Sequence, residues 1–378
     1  MSQIQAAEPD VQPLASVPDS ELSSVEGRTP WQLFWMRFKR DHVAVGAGVV
    51  VVILIALALS APFFAHSVIH RGPLDINQDL TSDIGIPLVG PSKMAWFGVD
   101  GIGRDIFVRS LYGARVSLLV SLVGTALSLL IGIVLGLMAG FQGGKTDTFI
   151  SRLVDIILSL PLLLMAIGLS VACGTSLDGC SGVWILPLLF TVLAIGVVSL
   201  GMQSAKKGTS FLIAGIAVAL SAVLIVTGIG PRIKPGVGMV VFIITLFGWP
   251  YVARIARGQT LSLREREFVE ASRATGFGTA YIMFREILPN MMASLIVVTT
   301  LLIPQNILFE AALSYLSVGI PPGTPSWGGM INNAVSGSLY FVSWWTLVFP
   351  AGFLVITTLA FNLLGDGLRD ALDPRAGR

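Results

Sequence analysis

Charge is what this chain has least of. Only 12% of its 378 residues are charged, while 54% are hydrophobic, and the mean hydropathy is +0.81. Soluble domains carry roughly a quarter of their residues as Asp, Glu, Lys and Arg, so a soluble fold is excluded and the chain is read as an integral membrane protein. Two cysteines and three histidines leave little material for a metal site. The net charge of +2 comes from basic residues scattered among loops rather than gathered in a stripe, which gives nucleic acid no footing. An apolar leader is also missing. The first 30 residues are polar, with Glu8, Asp10, Asp19, Glu21 and Glu26 among Ser and Pro. They are expected to be a disordered cytosolic tail rather than a cleavable signal.

Long apolar runs are abundant. Trp31, Phe34, Trp35 and Phe38 recur at helical spacing with Arg37, Lys39 and Arg40 between them, which predicts an interfacial helix leading into the membrane. Spans are expected at about 43–65, 113–140, 149–172, 183–201, 211–229, 237–256, 291–318 and 339–365, each near the roughly 20 residues that a bilayer requires. The fold class is therefore all-α, a polytopic membrane protein with about eight transmembrane helices. The basic flank before the first span places the N-terminus in the cytosol, and residues 66–111 then form an external loop. Arg104, Arg109, Arg115, Arg232 and Lys234 fall outside in this topology, against the charge bias. It stands because the opposite arrangement expels Arg369, Arg375 and Arg378. Cys173 and Cys180 bracket a short loop; they can form a disulfide if it faces an oxidising compartment, or remain two free thiols.

Residues 262–290, SLREREFVEASRATGFGTAYIMFREILPN, form an island of charge between apolar flanks. Each charge at mid-bilayer depth costs roughly 2.5–3.5 kcal/mol on insertion scales, so the island lies in water. Ser262 and Glu265 read as a capping box opening a helix, and Gly276 as its terminating residue. A second short helix is expected to end at Leu288, before Pro289. Arg266, Glu270 and Arg273 stand at spacings that allow ion pairs along one face.

Ala139 to Thr146, AGFQGGKT, satisfies a relaxed phosphate-loop pattern, but a membrane helix precedes it and no β-rich segment exists, so nucleotide binding is rejected. The glycines are expected to make a tight turn between two spans. No nucleophile, base and metal-ligand set clusters anywhere, which argues against an enzyme. Arg152 and Asp155 read as a local pair. Trp327, Trp344 and Trp345 read mainly as an interfacial belt. The Pro- and Gly-rich loop 319–338 could face the translocation path or a docked binding protein.

The order Glu270-Ala271, then Gly276, then Leu288-Pro289 resembles the EAA loop of ABC-importer permeases. Glu286 departs from that pattern, which has an apolar residue there. Further blocks narrow the resemblance to the second membrane subunit of the dipeptide/oligopeptide/nickel class. They are Phe97 to Asp100, with Val99 where threonine is usual, Gly103-Arg104-Asp105, Arg109, Tyr112 to Leu118, and Gly143-Gly144, Asp147, Arg152, Asp155 and Pro161. Leu313 to Leu316, Pro321-Pro322, Pro325 to Gly328 and Asn362 to Arg375 complete the set. Coverage runs from 31 to 375, interrupted between about 175 and 236. The family usually has six spans, so the pair at 183–229 reads as an inserted hairpin. Residues 112–366 would be the permease core and 367–378 a cytosolic C-terminus.

The resemblance implies half of a translocation path that alternates between outward and inward access. It implies short peptides as solute, with nickel chelates, glutathione or another small solute as alternatives. Implied partners are a homologous second permease subunit, two ATPase subunits holding ATP and Mg, an external solute-binding protein and the lipid bilayer, in a cell membrane. This chain would bind no cofactor itself. Glu270, Ala271, Ser272, Gly276, Leu288 and Pro289 are the implied ATPase-coupling residues. Inside the membrane, Glu310, with Gln305 and Asn306 a turn earlier, is a candidate for the path. An interhelical hydrogen bond is the favoured role for Glu310. A secondary transporter or channel is the rival class, and Glu310 is its single supporting residue.

Overall fold

The computed structural model describes residues 30–82, 86–87, 89–174, 236–321 and 323–372. Helices α1 (Pro30–Arg40), α2 (His42–Phe63), α3 (Ile106–Gln142), α4 (Gly144–Ser159) and α5 (Leu162–Gly174) come from the first half. Helices α6 (Val237–Leu263), α7 (Glu267–Ala274), α8 (Leu288–Tyr315), α9 (Trp327–Ser336) and α10 (Trp345–Leu372) come from the second. Among the described residues there is no strand, only two isolated bridges, Thr81 with Pro87 and Val99 with Asp105. That follows from the solvent: in hydrocarbon a helix satisfies its own backbone groups, and an open sheet edge cannot.

Five described segments are long and apolar enough to cross a membrane: His42–Ile69, Ile106–Gln142, Val237–Leu263, Thr279–Tyr315 and Trp345–Leu372. The span expected at 149–172 is instead broken, α4 and α5 meeting at 81°. Pro161 is the cause. It forces the preceding residue out of the α region, and Leu160 is extended at φ −78°, ψ 135°. The expected pair at 183–229 lies outside the described residues, as do Cys180, Arg232, Lys234 and the tail 1–29.

The most extensive pairing joins α3 to α6. Gly124, Gly132, Gly136 and Gly140 recur on one face of α3, with Ser128 completing the four-residue period. A Cβ on Gly124 would stand 2.6 Å from Ile244 and one on Gly132 2.5 Å from Val252. On Gly136 and Gly140 it would meet Ala256 and Thr260, each at 2.6 Å. Small residues let two backbones approach closely, and in lipid such packing replaces the hydrophobic drive between helices. Because both positions rise together, the helices run parallel. Gly143 and Gly236 therefore lie at opposite ends of the bundle.

Helix α8 runs antiparallel to α3, with Asn306 near Thr125 and Glu310 near Ser117. Helices α2 and α10 are antiparallel to each other: Gly48 meets Leu364, and Gly367 meets Ala44 near Asp41, the N-cap of α2. One end of the bundle thus gathers the start of α2, the turn at Gly143, residues 264–288 and the end of α10. We call it the island end. The opposite, cap end is closed by residues 64–82, 89–105, 317–321 and 323–343.

Helix α1 forms as expected, with Phe34, Trp35 and Phe38 rings mutually packed and Lys39 over Trp35. The tryptophan belt does not hold as a group. Trp344 is exposed, but Trp327 is fully buried against Gly113 and donates to Ser110 O at 3.1 Å. Trp345 packs on Gly90 and Gly98 and donates to Val99 O. A buried indole N–H needs an acceptor, and at the cap end the chain's turns supply one to each.

Candidate functional site

The charged island is built on the ends of three long helices. Helix α6 continues through Leu263, so Ser262 lies in its last turn and no capping box forms with Glu265. Instead Arg266 is the extended N-cap of α7, without a side-chain cap. Arg264 folds back to the end of α3, its Nη1 donating to Gly140 O at 3.1 Å and its Nε to Glu265 at 2.8 Å.

Helix α7 presents two faces. Val269 and Ser272 are buried, and Val269 joins a cluster with Leu137, Met138, Ile150, Ile282 and Ile287. Arg273 lies over the Phe141 ring, 5.1 Å from its centroid. No ion pair forms among Arg266, Glu270 and Arg273; Glu270 and Ala271 stand on the exposed face.

The C-terminus of α7 is a Schellman motif. The N–H of Gly276 donates to Arg273 O at 3.0 Å and that of Phe277 to Ser272 O at 3.1 Å. Gly276 supplies the required left-handed residue at φ +82°. The Thr275 hydroxyl takes up the Ala271 and Ser272 carbonyls. Beyond it, Phe277 and Tyr281 stack with centroids 4.4 Å apart, both about half exposed.

The second short helix does not end before Pro289. A turn at Thr279–Tyr281 widens into a π-helix, Ile282–Ile287, that runs directly into α8 with Pro289 in its first turn. Proline lacks an N–H and crowds the carbonyl four residues back, which a wider turn relieves. The Asn290 side chain then satisfies Glu286 O at 2.7 Å. Leu288 and Pro289 thus lie at the junction of the π-helix and α8.

Helix α4 packs beside this end. Gly143 and Gly144, both at positive φ (+67° and +57°), turn the chain between α3 and α4. The Ala139 to Thr146 stretch is a helix-to-helix corner with no strand before it. Asp147 takes Arg257 through both oxygens, at 2.5 and 2.7 Å. Asp155 pairs with Arg254 at 2.8 Å rather than with Arg152. Spacing alone suggested the local pair; the longer reach from α6 wins because α4 lies flat against it.

In the bundle interior Glu310 is fully buried. It accepts Ser117 Oγ of α3 at 2.5 Å and Ser314 Oγ of its own helix at 2.8 Å. Asn306 donates to Thr125 Oγ1 at 2.7 Å, while Gln305 faces outward. These polar groups join α8 to α3.

At the cap end, Asp100 folds the turn before α3. Its Oδ1 accepts the N–H of Ile102 and Arg104, and its Oδ2 accepts Arg104 Nε at 2.7 Å. Arg109 lies 3.7 Å from the same carboxylate and donates to Pro73 O. Asp105 caps α3 through Val108 N–H; burial pushes its carboxyl up, with the helix N–H groups and Arg71 pulling the other way.

The chain matches two family models. Residues 132–378 match binding-protein-dependent transport system inner membrane component, and residues 29–84 match the N-terminal TM domain of oligopeptide transport permease C. It is 34% identical over 361 residues to the oligopeptide transport system permease protein OppC of Bacillus subtilis, covering 96% of this chain and 95% of that one. It is 33% identical to the glutathione transport system permease protein GsiD of Pectobacterium atrosepticum over 96% of both chains. The dipeptide transport system permease protein DppC of Bacillus subtilis is 33% identical over 91% of this chain and 85% of its own.

Proposed function

Since the chain belongs to the family of binding-protein-dependent transport system inner membrane components, we propose that it forms half of an importer's path and takes its power through α7. It is a permease subunit, not an enzyme. The observation that carries the coupling assignment is the two-faced α7. Its buried face is held by Val269 against the ends of α3, α4 and α6, with Arg273 lying over Phe141, while Glu270 and Ala271 stand on the exposed face. Ala271 permits close backbone approach, and Glu270 offers a charge-assisted hydrogen bond to a docked ATPase. Leu263 lies three positions before Arg266, and the π-helix runs unbroken into α8. A displacement of α7 is therefore passed on to both α6 and α8.

In this reading the island end is cytosolic, and so are both chain termini. Arg37, Lys39, Arg40, Lys145, Arg254, Arg257, Arg266, Arg285 and Arg369 belong to that end, as the positive-inside rule requires. The cap end faces outward to the solute-binding protein. The complex comprises this chain, a homologous second permease and two ATPases that hold ATP and Mg. Short peptides are the proposed solute, because two of the relatives named above are oligopeptide and dipeptide permeases; the glutathione permease relative favours glutathione as the second reading.

The test is purification of the tagged chain from membranes with its neighbouring-gene ATPases, followed by binding-protein-dependent peptide uptake in proteoliposomes. Copurification with ATP-driven uptake is expected. Uptake driven by a proton gradient without ATPases would overturn the reading in favour of a secondary transporter.

A further inference from the structure

A cavity of about 440 Å³ opens at the cap end between the turn at Asp100 and the helix α9, within the ~300–1,000 Å³ usual for small-molecule sites. Its walls are mixed. Ile102, Met330 and Leu339 give apolar surface, and Arg104, Arg109 and Asn333 give polar groups. Charge is not balanced there. Two guanidiniums and one carboxylate, Asp100, line the space.

Asp100 is already engaged, with both oxygens taken by Arg104 and by backbone N–H groups. Behind the wall, Arg71 and Asp105 lie 3.9 Å apart. Arg109 shares Asp100 with Arg104, its Nε 3.7 Å from Oδ2, so three guanidiniums stand against two carboxylates here. Arg109 is 2% exposed, donates through Nη1 to Pro73 O at 2.9 Å, and its Nε has no hydrogen-bond partner. A buried guanidinium with unmet donors is costly unless an anion completes it. Its planar fork favours an anion with two oxygens. Arg109 and Asn333 also line an adjoining small cavity that reaches Ser314, the residue that holds Glu310. The polar lining therefore continues inward.

We propose that this cavity receives the carboxylate of the incoming solute, with Arg109 as its charge partner and Asn333 at its side. The ligand class is a small molecule with a free carboxylate, such as the C-terminus of a short peptide. This rests on the reading that solute is handed over at the cap end.

The experiment uses the whole complex in nanodiscs, without binding protein, in a Cys173→Ser, Cys180→Ser background carrying Asn333→Cys. The rate of maleimide modification is measured with acetate, trialanine or trialanine amide. Acetate and trialanine should slow modification, and the amide should need roughly tenfold or more higher concentration, as expected for loss of a charge-assisted hydrogen bond. Adding Arg109→Gln should abolish the difference. If that variant does not assemble, the carboxylate-against-amide comparison on the assembled parent decides alone.

Equal protection by trialanine and its amide, or none by acetate and trialanine, would overturn the site. So would protection seen only with the solute-loaded binding protein docked, which would assign the carboxylate to that protein. Protection by acetate but not trialanine would keep the site and count against peptides as solute. ATPase content and activity of the same preparation report separately on the permease reading.

Discussion

The Ser117 hydroxyl donates to Glu310 Oε2 at 2.5 Å, so this fully buried acid of the bundle interior is a strut between α3 and α8. A strut needs acceptor oxygens and volume, not a titratable proton. Glu310→Gln should therefore keep assembly and ATP-driven uptake, whereas Glu310→Ala leaves a void and two unpaired hydroxyls, costing about 2 kcal/mol or more. Thermal unfolding of the purified complex and uptake in proteoliposomes check both. Loss of uptake in Glu310→Gln with unchanged stability would make the acid a proton carrier instead.

The α3–α6 seam makes a sharper packing prediction. A Cβ at Gly136 would stand 2.6 Å from both Ala253 O and Ala256 Cβ, whereas nothing lies within 4 Å of one at Gly46. Gly136→Val should destabilise by about 1–3 kcal/mol through overpacking. Gly46→Ala should be neutral or slightly stabilising, since alanine favours a helix over glycine by about 0.5–1 kcal/mol. The difference in melting temperature between the two variants is the measurement.

Gly276 separates backbone strain from contact loss, because its surroundings are open while its φ is +82°. An alanine there should cost about 1–2 kcal/mol and fray the end of α7. Trypsin should then cut after Arg273 roughly tenfold faster in proteoliposomes, cleavage tracking the open population. Gly276→Asn should come close to the original rate, since asparagine tolerates the left-handed region.

Much of the bundle was legible because hydropathy and the cost of buried charge act residue by residue. The runs around 43–65 and 237–256 became helices, and the island emerged as a solvent-facing corner. What escaped were properties of pairs. The four-residue period of Gly124, Gly132, Gly136 and Gly140 was readable, but its partner lay far along the chain in α6. Ser262 and Glu265 have the composition of a capping box, yet α6 overrides it by continuing to Leu263. Trp327 resembles an interfacial tryptophan until a glycine, Gly113, makes room for it in the core. Pro161 alone could have revealed the break between α4 and α5, since the residue before a proline is driven out of the helical region.

In the proposed coupling, power enters through the exposed face of α7. Its most direct test is the ratio of solute imported to ATP hydrolysed in proteoliposomes carrying Glu270→Arg in an otherwise intact complex. Glu270 is exposed and makes no contact that holds the bundle together, so membrane insertion and melting temperature should be unchanged. ATPase copurification should fall, and binding-protein-stimulated hydrolysis and uptake should drop at least tenfold, as expected when a charge-assisted contact is reversed. A variant that retains its ATPases and imports solute at the original ratio would show that power enters elsewhere.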